Sequence, residues 1–216
     1  STAQRVLDAG CGVGGPALDW AERWPHLQIT GVTVSAAQAE IAERRIAQAG
    51  QSERVRVCVG DYQALSFEDA SFDRAILLES ACYCTDVDAL AAELFRCMSA
   101  GAKLYVKDMF LRDGITLVGT LGCVRPDEVG GQELAEIWRV WGVYRLLNLQ
   151  EWATALRRAG FFGLRFGPLL DWDESWYVGT LFTLNSDGLR LNELGERFAL
   201  RLANAPILWG EIHAEK

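Results

Sequence analysis

The stretch Val6-Leu7-Asp8-Ala9-Gly10-Cys11-Gly12-Val13-Gly14-Gly15 has the residue types that hold a ligand by its backbone. An apolar strand pattern ends at Asp8-Ala9, a glycine-rich turn follows, and a helix pattern runs from Ala17 to Trp24. Glycine permits a tight turn and close approach to the main chain, and N–H groups at a helix start favour anionic groups. Gly10, Gly12 and Gly15 also satisfy the G-x-G-x-x-G spacing, which alone names no particular nucleotide. A second chemical segment, Glu79-Ser80-Ala81-Cys82-Tyr83, follows a predicted fourth strand. Ligands of open parallel sheets lie outside the carboxyl ends of the strands, so a substrate is expected there.

The elements that must position these residues repeat as strand, turn and helix. Strands are expected at Arg5–Ala9, Gln28–Val34, Val55–Val59, Phe72–Glu79 and Ala102–Met109, as near-continuous apolar runs suited to parallel strands covered on both faces. Val87, Leu90, Ala91, Leu94 and Met98 form one helical stripe, and Ala42, Ile46 and Ala49 another. Ser35 followed by Gln38 reads as a capping box. Ala49-Gly50, Ala100-Gly101 and Ala159-Gly160 each read as a helix end before a strand. Beyond residue 110 a helix is expected at Gly131–Tyr144, another at Leu149–Ala159, and a strand at Phe161–Gly167. A helix patterned on Leu191, Leu194, Phe198 and Leu202 and a last strand at Pro206–Ile212 complete the reading.

This predicts an α/β fold: a Rossmann-like, seven-stranded, mostly parallel sheet with helices on both faces and an antiparallel last strand. The expected organisation is one domain over 1–216. Residues 1–110 form a cofactor-binding half, and helical insertions at 111–147 and 168–205 cover the substrate. Because the chain starts at Ser1, four residues before a strand, a missing N-terminal segment is also expected.

Composition narrows the function. The 216 residues carry 21 Lys+Arg against 29 Asp+Glu, a net charge of −8 that disfavours a nucleic-acid partner. Half the residues are hydrophobic and 23% charged, which excludes a disordered chain. No apolar run of membrane-spanning length occurs. The six cysteines (Cys11, Cys58, Cys82, Cys84, Cys97 and Cys123) show no CxxC pair or ligand spacing, so thiols in a reducing cytoplasm and no metal site are expected.

With Gly60-Asp61-Tyr62 after the third strand, VLDAGCGVGG resembles the first motif of class I S-adenosylmethionine-dependent methyltransferases. The resemblance implies S-adenosylmethionine as cofactor and S-adenosylhomocysteine as product. It assigns cofactor binding to Asp8, Gly10, Cys11, Gly12, Gly14, Asp61 and Tyr62, with Asp61 accepting from the adenine amino group. Most of that class carry an acid where Thr33 stands. Here Gly31-Val32-Thr33-Val34-Ser35-Ala36-Ala37-Gln38 is similar to the sterol, tocopherol and geranyl diphosphate C-methyltransferases and the cyclopropane-fatty-acid synthases. That similarity gives the ribose contact to Thr33 and Gln38, while the capping box is an equal alternative for Gln38.

Glu79-Ser80-Ala81-Cys82-Tyr83 resembles the ESxxH or ESxxY signature of alkene-directed enzymes, which implies Glu79 as base and Tyr83 as pocket lining. The chemistry is sensible, because an alkene that gains a methyl group becomes a carbocation needing a nearby carboxylate and loss of a proton. A cap or salt bridge at a strand end is the alternative for Glu79. Trp138, Trp141, Tyr144, Trp176 and Tyr177 could offer aromatic faces to a cation or pack the insertions onto the sheet. Lys107, Arg112, Arg125 and Arg145 are the cations available to a diphosphate. His26 and His213 lie far from the expected methyl position, which disfavours His-driven O-methylation.

The expected activity is methyl transfer to a small apolar molecule, first an isoprenoid alkene. N- or O-methylation of an aromatic metabolite is the alternative. A nicotinamide-dependent dehydrogenase would require an acid at Thr33. A silent partner subunit would show an eroded glycine motif.

Overall fold

The computed structural model describes residues 4–112, 142–143, 146–168 and 207–216. β1 (Gln4–Ala9), α1 (Gly15–Arg23), β2 (Leu27–Thr33), α2 (Ala36–Gln48) and β3 (Val55–Val59) come first. β4 (Phe72–Leu78), a 3₁₀ turn (Ala81–Tyr83), α3 (Val87–Cys97) and β5 (Met98–Leu111) follow. α4 (Leu149–Ala159), β6 (Phe162–Pro168) and β7 (Ile207–Glu215) complete the described elements. The seven strands lie in the order β3-β2-β1-β4-β5-β7-β6, β1 to β5 parallel and β7 antiparallel to both its neighbours. The order reverses between β1 and β4, which puts the ligand crevice over their carboxyl ends.

Two cores lie on opposite faces because successive strand residues point opposite ways. Val6, Ile29 and Val57 pack under α1 and α2 with Ala17, Ala42 and Ile46. Leu7, Leu77, Leu104 and Phe110 pack under α3 and α4 with Leu90, Leu94, Trp152 and Leu156. Along β4 buried and half-buried residues alternate, so its burial is less continuous than that of β2. Leu77 is buried while Ile76 and Leu78 are partly open.

Local expectations were corrected at three places. Ala100-Gly101 closes no helix: α3 ends at Cys97, and Gly101 (φ 76) lies inside β5, where the pairing slips between Phe72↔Met98 and Arg74↔Lys103. Ser35 Oγ accepts from Gln38 N (3.3 Å), but the Gln38 side chain turns to Thr33, so only half a capping box forms. A complete box occurs instead at Asn148 and Glu151, which start α4. β7 runs on to Glu215, so His213 stands within the sheet. Arg125, Arg145, Cys123 and the helices expected at Gly131–Tyr144 and around Leu191 lie outside the described residues. So do Trp138, Trp141, Tyr144, Trp176 and Tyr177. Among the described residues no helix is long and apolar enough to cross a membrane.

Candidate active site

Gly10 leaves β1 with φ 87, donating its N–H to Val32 O (2.9 Å). A Cβ there would lie 2.3 Å from Ser80 Cβ, so only glycine lets β1 meet the segment after β4. Gly12 (φ 54) faces open space, which leaves its backbone accessible. Gly14, in the left-handed region, is the N-cap of α1, and no side chain caps that helix. Its first N–H groups are thus available to an anionic ligand.

The Ser80 junction is pinned from both sides. Ser80 Oγ donates to Ala9 O (2.6 Å), and the Tyr62 hydroxyl donates to Ser80 O (2.9 Å). Burial pushes the Tyr62 pKa well above its ordinary value. Asp108, fully buried on β5, accepts from Cys82 N (3.0 Å) and from Met109 N (2.7 Å). Burial moves its pKa up to about 6 against those hydrogen bonds. Glu79, next to this junction, is a non-glycine residue at φ 53. Its N–H donates to Lys107 O (2.9 Å), and its Oε1 pairs with Lys107 Nζ at 2.9 Å. Strain of this kind, held by surrounding bonds, points to a functional position.

These elements enclose a cavity of about 390 Å³ lined by Gly10, Gly12, Thr33, Gln38, Asp61, Tyr62, Glu79 and Tyr83, together with Val34, Gln63 and Ser80. Eight of the residues singled out from sequence thus meet in one place. Thr33 Oγ1 donates to Gln38 Oε1 (2.8 Å), leaving the Gln38 amide N–H groups without a partner among the described residues. Gln63 holds the Asp61 carboxylate, with its N on Oδ1 at 2.8 Å.

Asp8, Cys11 and Gly14 do not line this cavity. The Cys11 side chain packs into the core, where a Cβ on Gly31 would lie 2.6 Å from its Sγ; burial raises its pKa to about 12. Asp8 is 2% exposed, its Oδ2 has no hydrogen-bond partner among the described residues, and burial alone raises its pKa to about 7. A buried acid with an orphaned oxygen beneath a glycine turn fits a ligand that brings a positive charge. His26 and His213 line no part of the cavity; His213 stacks on Tyr105 at 4.9 Å.

Sequence reading missed three contributors. Asp108 had a visible signal, an acid beside Lys107 within the otherwise apolar stretch Val106 to Phe110. The Lys107 pairing with Glu79 and the Gln63 contacts join distant positions and had none.

A family profile described as a methyltransferase domain matches residues 6–101. The methyltransferase phqN of Penicillium fellutanum is 36% identical over 110 residues, 51% of this chain and 33% of that protein. The sterol 4-C-methyltransferase strm-1 of Caenorhabditis elegans is 38% identical over 103 residues, covering 48% and 30%. The chain thus spans about a third of the length of these two curated relatives. A solved structure of geranyl diphosphate C-methyltransferase from Streptomyces coelicolor A3(2), holding Mg²⁺, geranyl diphosphate and S-adenosyl-L-homocysteine, superposes with a TM-score of 0.77. It is 19% identical and the match covers 100% of this chain and 74% of that one. Residues 6–101 thus carry a methyltransferase domain, and the glycine cradle and the fold are consistent with a class I S-adenosylmethionine-dependent methyltransferase.

Proposed function

We propose that this chain catalyses methyl transfer to carbon on a small, largely apolar alkene, a prenyl diphosphate or similar isoprenoid. The observation that carries the reading is Glu79, held at φ 53 beside the cofactor cavity with Oε1 paired to Lys107. When bound, S-adenosylmethionine supplies an electrophilic methyl group. Asp61 receives the adenine amino group, Thr33 and Gln38 hold the ribose, and Asp8 faces the cofactor's cationic end. Glu79 stabilises positive charge developing on the methylated acceptor. Its Oε2, without a partner among the described residues, takes the proton whose loss restores the alkene. Tyr83, 50% exposed, offers its ring to the acceptor.

The Lys107 pairing also favours a second reading, N- or O-methylation of an aromatic molecule, in which Glu79 only latches the end of β4 to β5. Labelled S-adenosylmethionine offered with prenyl diphosphates, sterols, phenols and aromatic amines separates the two. Glu79→Gln is expected to bind S-adenosylhomocysteine as wild type does and to lose about 100-fold or more in turnover. Full turnover by Glu79→Gln discards the base, and label on nitrogen or oxygen selects the second reading.

A further inference from the structure

Gln63 makes more hydrogen bonds than any other side chain lining the cavity, and their directions are unambiguous. Its Oε1 receives Asp86 N (2.7 Å), Thr85 N (3.0 Å), Thr85 Oγ1 (3.0 Å) and Cys84 Sγ (3.5 Å). Two successive backbone N–H groups converging on one oxygen form a nest, a concavity for an acceptor. Its Nε2 points the other way, 3.2 and 3.3 Å from the two oxygens of Asp61. Only donors surround Oε1 and only acceptors face Nε2, so the amide cannot be reversed. The Asp61 carboxylate is exposed and is held by Gln63 through both its backbone N–H and its Nε2.

We propose that Gln63 is a positioning residue for the cofactor: anchored in the Thr85–Asp86 nest, it aims the Asp61 carboxylate at the adenine amino group. The inference rests on the cavity being the S-adenosylmethionine site. It also ties the adenine end to the loop that joins the Tyr83 turn to α3, since the nest is that loop. A residue that merely stapled the loop would use Oε1 alone.

Gln63→Glu separates the two roles. A carboxylate oxygen still fills the nest, but the donor to Asp61 is lost and two carboxylates face each other. Tyr62, Cys84 and Asp86 flank the pair, with Glu79 and Tyr83 also lining the cavity; the Tyr62 hydroxyl donates to Ser80 O and the Asp86 carboxylate accepts from Ala89 N. The expected result at pH 8 is a urea midpoint like wild type and S-adenosylhomocysteine affinity at least about ten-fold weaker. The ratio of wild-type to variant affinity should shrink toward pH 5.5, because a proton shared between the two carboxyls replaces the missing amide N–H. In an Asp61→Ala background Gln63→Glu should cost nothing further, as a residue acting through Asp61 requires. Unchanged affinity in Gln63→Glu, or an equal loss in the Asp61→Ala background, overturns the proposal. If wild type itself fails to bind S-adenosylhomocysteine, the cofactor reading falls and this inference with it.

Discussion

Asp8 and Asp108 are both buried carboxyls with no ion pair among the described residues, yet they are satisfied differently. Asp108 is answered by the backbone N–H of Cys82 in the Tyr83 turn and that of Met109 on β5, whereas Asp8 keeps an oxygen that no described residue reaches. The free protein therefore holds a proton on Asp8 up to about pH 7, and the α-ammonium group, which S-adenosylmethionine and S-adenosylhomocysteine share, should expel it. Calorimetry in buffers of different ionisation enthalpy should show release of roughly one proton per S-adenosylhomocysteine bound at pH 6 and almost none at pH 8. Buffer-independent heats at pH 6 would remove Asp8 from the cofactor's charged end. Asp61→Ala should weaken the same binding by about ten-fold or more, through loss of a charged acceptor. Asp61 and Thr33 were legible in sequence because each sits at a fixed step from a strand end. Gln63 was not, because its partners at positions 84 to 86 become neighbours only after folding.

At the scale of elements, the junction of β1 with the segment after β4 is the tightest contact of the site. Gly10→Ala would place a methyl group against Ser80 at a φ of 87, and should destabilise the protein by more than about 1 kcal/mol. Urea unfolding measures this, and weakened cofactor binding should accompany it. Asn148→Ala removes one half of the α4 capping box and should cost about 1 kcal/mol with cofactor affinity untouched, since α4 lies away from the cavity lining. The Ala100-Gly101 reading shows where local rules mislead. A glycine with positive φ after an apolar stripe signals a helix end, but the same conformation serves a slip in strand pairing. Which one forms is decided by the partner strand, here Phe72 to Arg74, and no window around Gly101 contains it.

For the whole molecule, buried acids and surface ion pairs pull the pH dependence in opposite directions. Asp8 and Asp108 have folded pKa values raised to about 7 and about 6, so the native state binds more protons than the unfolded chain above about pH 4. Stability from this source is present at low pH and lost as pH rises through 6 and 7. Asp73 beside Arg5 and Glu93 beside Arg96 are lowered instead, so their contribution exists above the usual carboxylate range and is lost on acidification. Urea titrations of the cofactor-free protein should therefore show maximal stability near pH 4 and a lower midpoint at pH 8. Saturating S-adenosylhomocysteine should reduce that fall, because it supplies a partner for Asp8 and none for Asp108. A midpoint that rises from pH 5 to pH 8 contradicts the assignment.

Sequence alone determined the alternation of strand, glycine turn and helix from Val6 to Gly60, the acid after β3 and the neutral Thr33 where an acid is usual. These are local properties: apolar period, turn chemistry and caps act over a few residues and can be read along the chain. Tertiary structure decided that β7 enters between β5 and β6, that Lys107 grips Glu79, and that Gln63 joins Asp61 to the start of α3. The first sets which strands are neighbours, Lys107 and Glu79 are 28 residues apart and Gln63 and Asp86 are 23 apart, and spacing in sequence does not encode such pairings. They form only when folding lays distant strands and loops side by side, and the partners are then set by which elements are neighbours in the sheet.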